Sequence, residues 1–136
     1  MRIFLTIGIT TLAFASAAWA DDAQISFETP SHNICCTYTP AGGTSVYETP
    51  DGSAELSCHR VKPQYWILSF TEKGRLNVDR NPGEVPGCGY GDSAVLAYGE
   101  KRVDGSFTCV SKTTGLTCVA KGKGFTLSKS GVKKIN

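Results

Sequence analysis

The chain has 136 residues, with 14 Lys and Arg against 12 Asp and Glu and a formal charge of +2. So even a balance supplies no field for gathering nucleic acid or an anionic bilayer surface. The length suits one domain with one modest core.

Met1-Arg2 is a short positive segment, Ile3 to Phe14 is largely apolar, and Ala18-Trp19-Ala20 is a small-x-small cleavage motif before Asp21-Asp22. That order predicts a signal peptide over residues 1–20, too short and wrongly flanked for a membrane span. Removing 20 residues leaves 116, and with Arg2 gone the balance is 13 basic to 12 acidic, a net charge of +1. No cysteine directly follows the cleavage motif, so a lipid anchor is not expected. No later apolar stretch approaches the ~18 residues of a membrane span. The expectation is an exported protein, periplasmic or secreted, with a single disulfide-rich β domain over 21–136.

Helical periodicity is absent from that domain, and Gly and Pro punctuate it throughout. Strand patterns recur at Ile25–Glu28, Ile34–Tyr38, Ala54–His59, Tyr65–Phe70, Arg75–Val78 and Ala94–Tyr98. They continue at Ser106–Val110, Leu116–Val119, Phe125–Ser128 and Val132–Ile135. Turn signals separate them: Pro40 to Gly43, Pro50 to Gly52, Lys73-Gly74, Asn81 to Gly83, Asp104-Gly105 and Gly122 to Gly124. Short strands at this spacing predict an all-β fold, a single antiparallel sandwich or small barrel.

All six cysteines (Cys35, Cys36, Cys58, Cys88, Cys109, Cys118) lie in the exported part. An even count in a short exported chain predicts a disulfide framework, with 15 possible pairings. Cys109 and Cys118 flank the turn Lys112-Thr113-Thr114-Gly115, so a tight hairpin sets them across from each other. Cys35 and Cys36 are neighbours in a strand and point to opposite faces, so each needs its own partner. Two schemes remain: Cys36–Cys58 with Cys35–Cys88, or Cys35–Cys58 with Cys36–Cys88.

Phe27-Glu-Thr-Pro-Ser31 followed by Asn33-Ile34-x-Cys36 resembles the opening of an uncharacterised family of small exported bacterial proteins, a domain of unknown function that reads F-x-x-P-S-G-N-I-x-C there. Val95 to Gly99, Cys109, Gly115-Leu-Thr-Cys118 and Gly122-Lys-Gly-Phe125-x-Leu127-Ser128 resemble the same family's L-x-Y-G, C, G-[LV]-x-C and G-x-G-F-x-[IL]-S, in order. The resemblance runs from about Ile25 to Ser128. His32 departs from it, standing where members have Gly, as does Cys35. A family cysteine expected between 59 and 87 is missing. If Cys35 replaces it as the partner of Cys88, the resemblance favours the first scheme. It implies export and a disulfide-bonded β domain, and brings no catalytic residues.

Candidate chemistry is sparse. His32, Cys35, Cys36, Cys58 and His59 could gather a soft metal, but their spacing fits no closed zinc or haem pattern. No C-x-x-C opens a helix, which argues against thiol redox work. Ser57 and His59 share a strand face without the turn of a nucleophile elbow, and Asp92-Ser93 has no fixed relation to them. Asp51 and Glu55 sit beside a turn. Asn33 reads as a turn cap through its amide, and Gly99 and Gly115 as positive-φ positions. Lys121-Gly-Lys-Gly124 lacks the phosphate-loop spacing.

Lysines gather late, at Lys112, Lys121, Lys123, Lys129, Lys133 and Lys134. They make a mildly basic face that reads first as a solvated face discouraging edge pairing, and otherwise as one that meets an acidic partner or anionic glycan at the envelope. Tyr65-Trp66 is the best candidate for an exposed anchor, although Tyr65–Phe70 reads first as a core strand. No catalytic set, metal site or cofactor is expected. The leading expectation is an exported, non-enzymatic binding domain that presents loops to an unknown protein or glycan, one version being an inhibitor of a secreted or envelope enzyme. The alternatives are a small hydrolase or metal-dependent enzyme using His32 and His59, or a structural envelope component.

Overall fold

The computed structural model describes residues 24–83, 87–88 and 93–136. The expected leader and Asp92 lie outside these. Alternation of apolar and polar residues sorts eleven strands into two stacked sheets. The first contains β1 (Ile25–Glu28), β2 (Ile34–Thr39), β3 (Glu55–Arg60), β4 (Trp66–Thr71), β5 (Leu76–Asp79) and β6 (Ala94–Val95), in the spatial order β5-β4-β3-β2-β1-β6. The second is a meander of β7 (Lys101–Asp104), β8 (Phe107–Lys112), β9 (Gly115–Ala120), β10 (Lys123–Ser128) and β11 (Gly131–Ile135). The sheets do not close on one another, so the architecture is a sandwich rather than a barrel.

Every second residue faces the shared core. Phe27, Cys36, Cys58 and Leu68 form one inward row across β1 to β4, with Leu56 and Phe70 in the next. Phe107, Cys109, Leu116, Cys118, Phe125 and Leu127 answer from the second sheet. Rings interlock edge-on between the layers, with Phe70 at 5.9 Å from Phe107 and 5.5 Å from Phe125, and Tyr38 at 5.9 Å from Phe107. Such contacts add about 0.5–1.5 kcal/mol each beyond burial.

The meander turns every eight residues, with closing pairs Asp104↔Phe107, Lys112↔Gly115, Ala120↔Lys123 and Ser128↔Gly131. The Asp104–Phe107 turn takes a positive φ at Gly105 (φ 55), and the Ala120–Lys123 turn at Lys121 (φ 50) and Gly122 (φ 81). At Gly115 (φ 143) a Cβ would lie 2.6 Å from the Leu127 carbonyl oxygen, so only glycine permits the close approach of β9 to β10.

Three disulfides join Cys35 to Cys88, Cys36 to Cys58, and Cys109 to Cys118. Such a set is sustained in an oxidising environment. Cys36 faces Cys58 and Cys109 faces Cys118 directly across the ladders, each pair 4.1 Å apart at Cα. Each sheet therefore carries one cross-strand bridge turned into the core. Cys35, one residue from Cys36, points outward and fastens Gly87-Cys88 onto the outer face of the first sheet.

Two elements differ from the sequence pattern. Of Ala94–Tyr98 only Ala94-Val95 pairs, parallel to β1, and Leu96 then donates its N–H to the Glu28 carbonyl while its side chain enters the core. The chain turns at once, because Glu100 N–H donates to the Ala97 carbonyl and Gly99 takes φ 85. Lys101–Asp104 is a strand without an apolar signature. Its inward residues Arg102 and Asp104 pair with each other at 2.7 Å, and Val103 faces solvent, as suits a charged edge strand. Among the described residues no helix is long and apolar enough to cross a membrane.

Candidate functional site

The two ends of the sandwich differ. At one end Glu72 clamps the sheets together, accepting from the Ser106 hydroxyl at 2.7 Å and pairing with Lys121 at 3.7 Å. These contacts, the Ser106 hydrogen bond first, hold its carboxyl below the usual glutamate range. At the other end the clamp is Arg60, 1% exposed, which reaches from β3 across the core edge. Its Nη1 donates to the Ser128 and Lys129 carbonyls at 2.9 and 3.3 Å, while Nε and Nη2 donate to the Gln64 carbonyl at 3.2 and 3.0 Å. The guanidinium stacks on Trp66, and Arg80 covers the same ring.

Beside that clamp four connections surround a cleft of about 490 Å³: the β1–β2 turn, the turn before β7, and the β8–β9 and β10–β11 hairpin tips. Thr29 and Ile34 lie at its base. Its walls carry Ser31, Thr113, Thr114 and Ser130, together with the Tyr98 ring, 46% exposed. Lys112 and Lys129 stand on the two hairpin tips, and among the described residues no carboxylate lines the space. Rigid backbone holds these walls in place. Asn33 fixes the rim by a reciprocal pair with Lys62, accepting its N–H at 2.8 Å and donating Nδ2 to its carbonyl at 3.0 Å. Gly99 N–H donates to the Ser111 carbonyl at 2.7 Å, tying the Tyr98 turn to β8.

The two histidines have separate partners. His32 sits at φ 58 in the β1–β2 turn, with Nδ1 3.0 Å from a Glu28 carboxylate oxygen. This left-handed backbone suits glycine. His59 lies on the outer face of the first sheet, where its Nδ1 bonds the Tyr65 hydroxyl at 2.5 Å and burial lowers its pKa. It lines a shallow recess of about 160 Å³ with Ser26, Thr37, Cys35 and Cys88. Cys36 and Cys58 are sealed in the core, so the side chains considered for a soft-metal cluster are divided between opposite faces of one sheet. Among the described residues no group of His, Cys, Asp and Glu has the arrangement of a metal site.

The remaining candidates are spoken for locally. Ser57 and His59 share the outer face without contact to an orienting carboxylate. Asp51 accepts from the Ser53 hydroxyl and from its N–H at 2.9 Å, which lowers its pKa. Glu55 is buried and accepts from the Tyr47 hydroxyl at 2.6 Å. Trp66 is engaged by Arg60 and Arg80 and Tyr65 by His59, so neither stands as a free anchor. Of the late lysines only Lys112 and Lys129 reach the cleft. Lys121 and Lys123 belong to the opposite end, and Lys133 and Lys134 to the edge strand β11.

Sequence reasoning did not single out Tyr98, Thr113, Thr114 or Arg60 as members of one site. Only their turn-forming neighbours carried a signal. No known protein-family model, curated protein or solved structure matches this chain.

Proposed function

We propose that this is an exported binding module, periplasmic or secreted once residues 1–20 are removed. It holds its ligand in the end cleft and performs no chemistry on it. The observation that carries this reading is the cleft itself: a preformed space with converging hydroxyl, ammonium and aromatic groups on braced turns. Among the described residues Asp51, Glu55 and His59 are each engaged in a local hydrogen bond away from the cleft. The resemblance to small exported proteins of unknown function fits the same reading.

The test is affinity capture from envelope and culture-fluid extracts by the immobilised oxidised protein, beside a Thr114→Trp variant that fills the cleft. A component retained by the native protein and lost with the variant supports the reading. Equal recovery from both, or none from either, overturns it.

A second reading is carried by the 40–54 loop. Thr44 N–H donates to the Tyr47 carbonyl at 2.7 Å, the Thr44 hydroxyl accepts from the Val46 and Tyr47 N–H groups, and Tyr47 is moored to Glu55. Val46 stands 88% exposed at this ordered tip. An apolar side chain on a preorganised turn suits insertion into a partner's pocket, as an inhibitor of a secreted enzyme would use it. Val46→Asp should then abolish inhibition of such an enzyme while Thr114→Trp leaves it intact.

A further inference from the structure

We propose that the end cleft seats an anionic saccharide, a sugar bearing a carboxylate or phosphate, with Lys112 and Lys129 meeting the charge and Tyr98 the sugar's C–H face. This rests on the cleft being the ligand seat and specifies what fills it.

Three features point to an anion. Lys112 and Lys129 approach from separate hairpins, and none of the lining residues is acidic. Beneath the β10–β11 tip lies the Arg60 guanidinium, whose hydrogen bonds among the described residues all go to carbonyl oxygens. None of the ion pairs among the described residues involves it. Arg80, 4.8 Å from the centroid of the Trp66 ring, adds to the charge at this end. A buried cation satisfied by carbonyl dipoles leaves a positive field at low dielectric, and an anion held nearby is attracted through it.

Two further features point to a saccharide rather than a bare ion. The space of about 490 Å³ far exceeds a phosphate, and the Thr113 and Thr114 hydroxyls offer donor and acceptor together as sugar hydroxyls require, beside Ser130, whose hydroxyl also bonds Ser128 at 2.8 Å. The exposed Tyr98 ring provides an apolar plate beside polar neighbours. Lysine ammonium groups, as mobile point charges, accept either a carboxylate or a phosphate.

The experiment is a titration of the oxidised full-length domain followed by amide NMR shifts. Probes are trigalacturonate, its fully methyl-esterified neutral counterpart, glucose 6-phosphate, glucose and inorganic phosphate. The expected result is that trigalacturonate moves the 29–34, 97–100, 112–115 and 128–131 resonances and binds at least tenfold more tightly than the ester. Its affinity should fall as salt rises from about 50 to 300 mM. Lys112→Gln with Lys129→Gln should bring the acid down to the level of the ester, whereas Tyr98→Ala should weaken both. If glucose 6-phosphate is preferred to trigalacturonate, the source is a phosphorylated sugar, and the reverse order assigns a carboxylated one. Equal binding of acid and ester at the cleft overturns the anionic inference and leaves the binding module standing. Inorganic phosphate binding as tightly as either charged sugar overturns the saccharide part. Absence of any shift at the cleft overturns the whole proposal, and the Thr114→Trp capture then decides separately whether the cleft binds anything.

Discussion

The Arg60 guanidinium lies 3.6 Å from the centroid of the Trp66 ring and spans from the first sheet to the carbonyls of the β10–β11 turn. One side chain thus sets the separation of the sheets at the cleft end. Desolvation and the nearby Arg80 lower its pKa, but a guanidinium stays charged at any physiological pH. Removing it leaves three carbonyl groups short of a donor.

Arg60→Ala should therefore destabilise the protein by about 3 kcal/mol, through unpaired buried acceptors and lost stacking. Arg60→Lys should recover only part of this, because one ammonium cannot reach both Gln64 and the Ser128-Lys129 pair. Urea unfolding of the three proteins checks the order. Wild-type stability in Arg60→Ala would show that the clamp is not needed.

The three bridges should differ in reactivity. Cys36, Cys58, Cys109 and Cys118 are at most 2% exposed, whereas Cys35 and Cys88 are half-buried on an outer face. Mild reduction followed by alkylation and mass analysis should first label Cys35 and Cys88 alone. Replacing Cys109 and Cys118 by alanine should cost about 3 kcal/mol, from the entropy that a short closed loop removes from the unfolded chain. Simultaneous labelling of all six thiols would contradict the difference in burial.

Burial holds the His59 imidazole below its ordinary value of 6.5. The unfolded chain then takes up this proton first as pH falls. Its contribution to stability is complete above about 6.5 and is lost as pH drops through the lower folded value. Denaturation midpoints should fall between pH 7.5 and 5.5 by more in the native protein than in His59→Gln.

Tyr47 is the reverse case. Burial, then its hydrogen bond to Glu55, pushes its phenol up to about 12. Alkaline absorbance titration should show a tyrosine ionising near 12 that is missing in Tyr47→Phe. That variant should lose about 1 kcal/mol and loosen the 43–48 loop, read as faster amide exchange at Val46. Unchanged exchange would mean that Glu55 does not moor the loop.

Much of the fold is legible because a strand has a period of two. The alternation at Ile34–Tyr38 and Leu116–Val119 fixes an inward and an outward set, and Cys35 beside Cys36 must therefore serve opposite faces. The sequence pattern could not show β7, whose inward residues Arg102 and Asp104 satisfy each other rather than burying apolar surface. Nor could it show that β6 ends after two residues. Composition, periodicity and cysteine count were enough to determine an all-β, disulfide-bonded domain, since these depend on local chemistry and on burying one face of each strand. The pairing of Cys35, Cys36, Cys58 and Cys88, and the meeting of Lys112, Lys129, Tyr98 and Arg60 at one end, were decided only by the tertiary structure. Those contacts join residues up to 69 positions apart, and only the stacking of two sheets in one register brings such residues together.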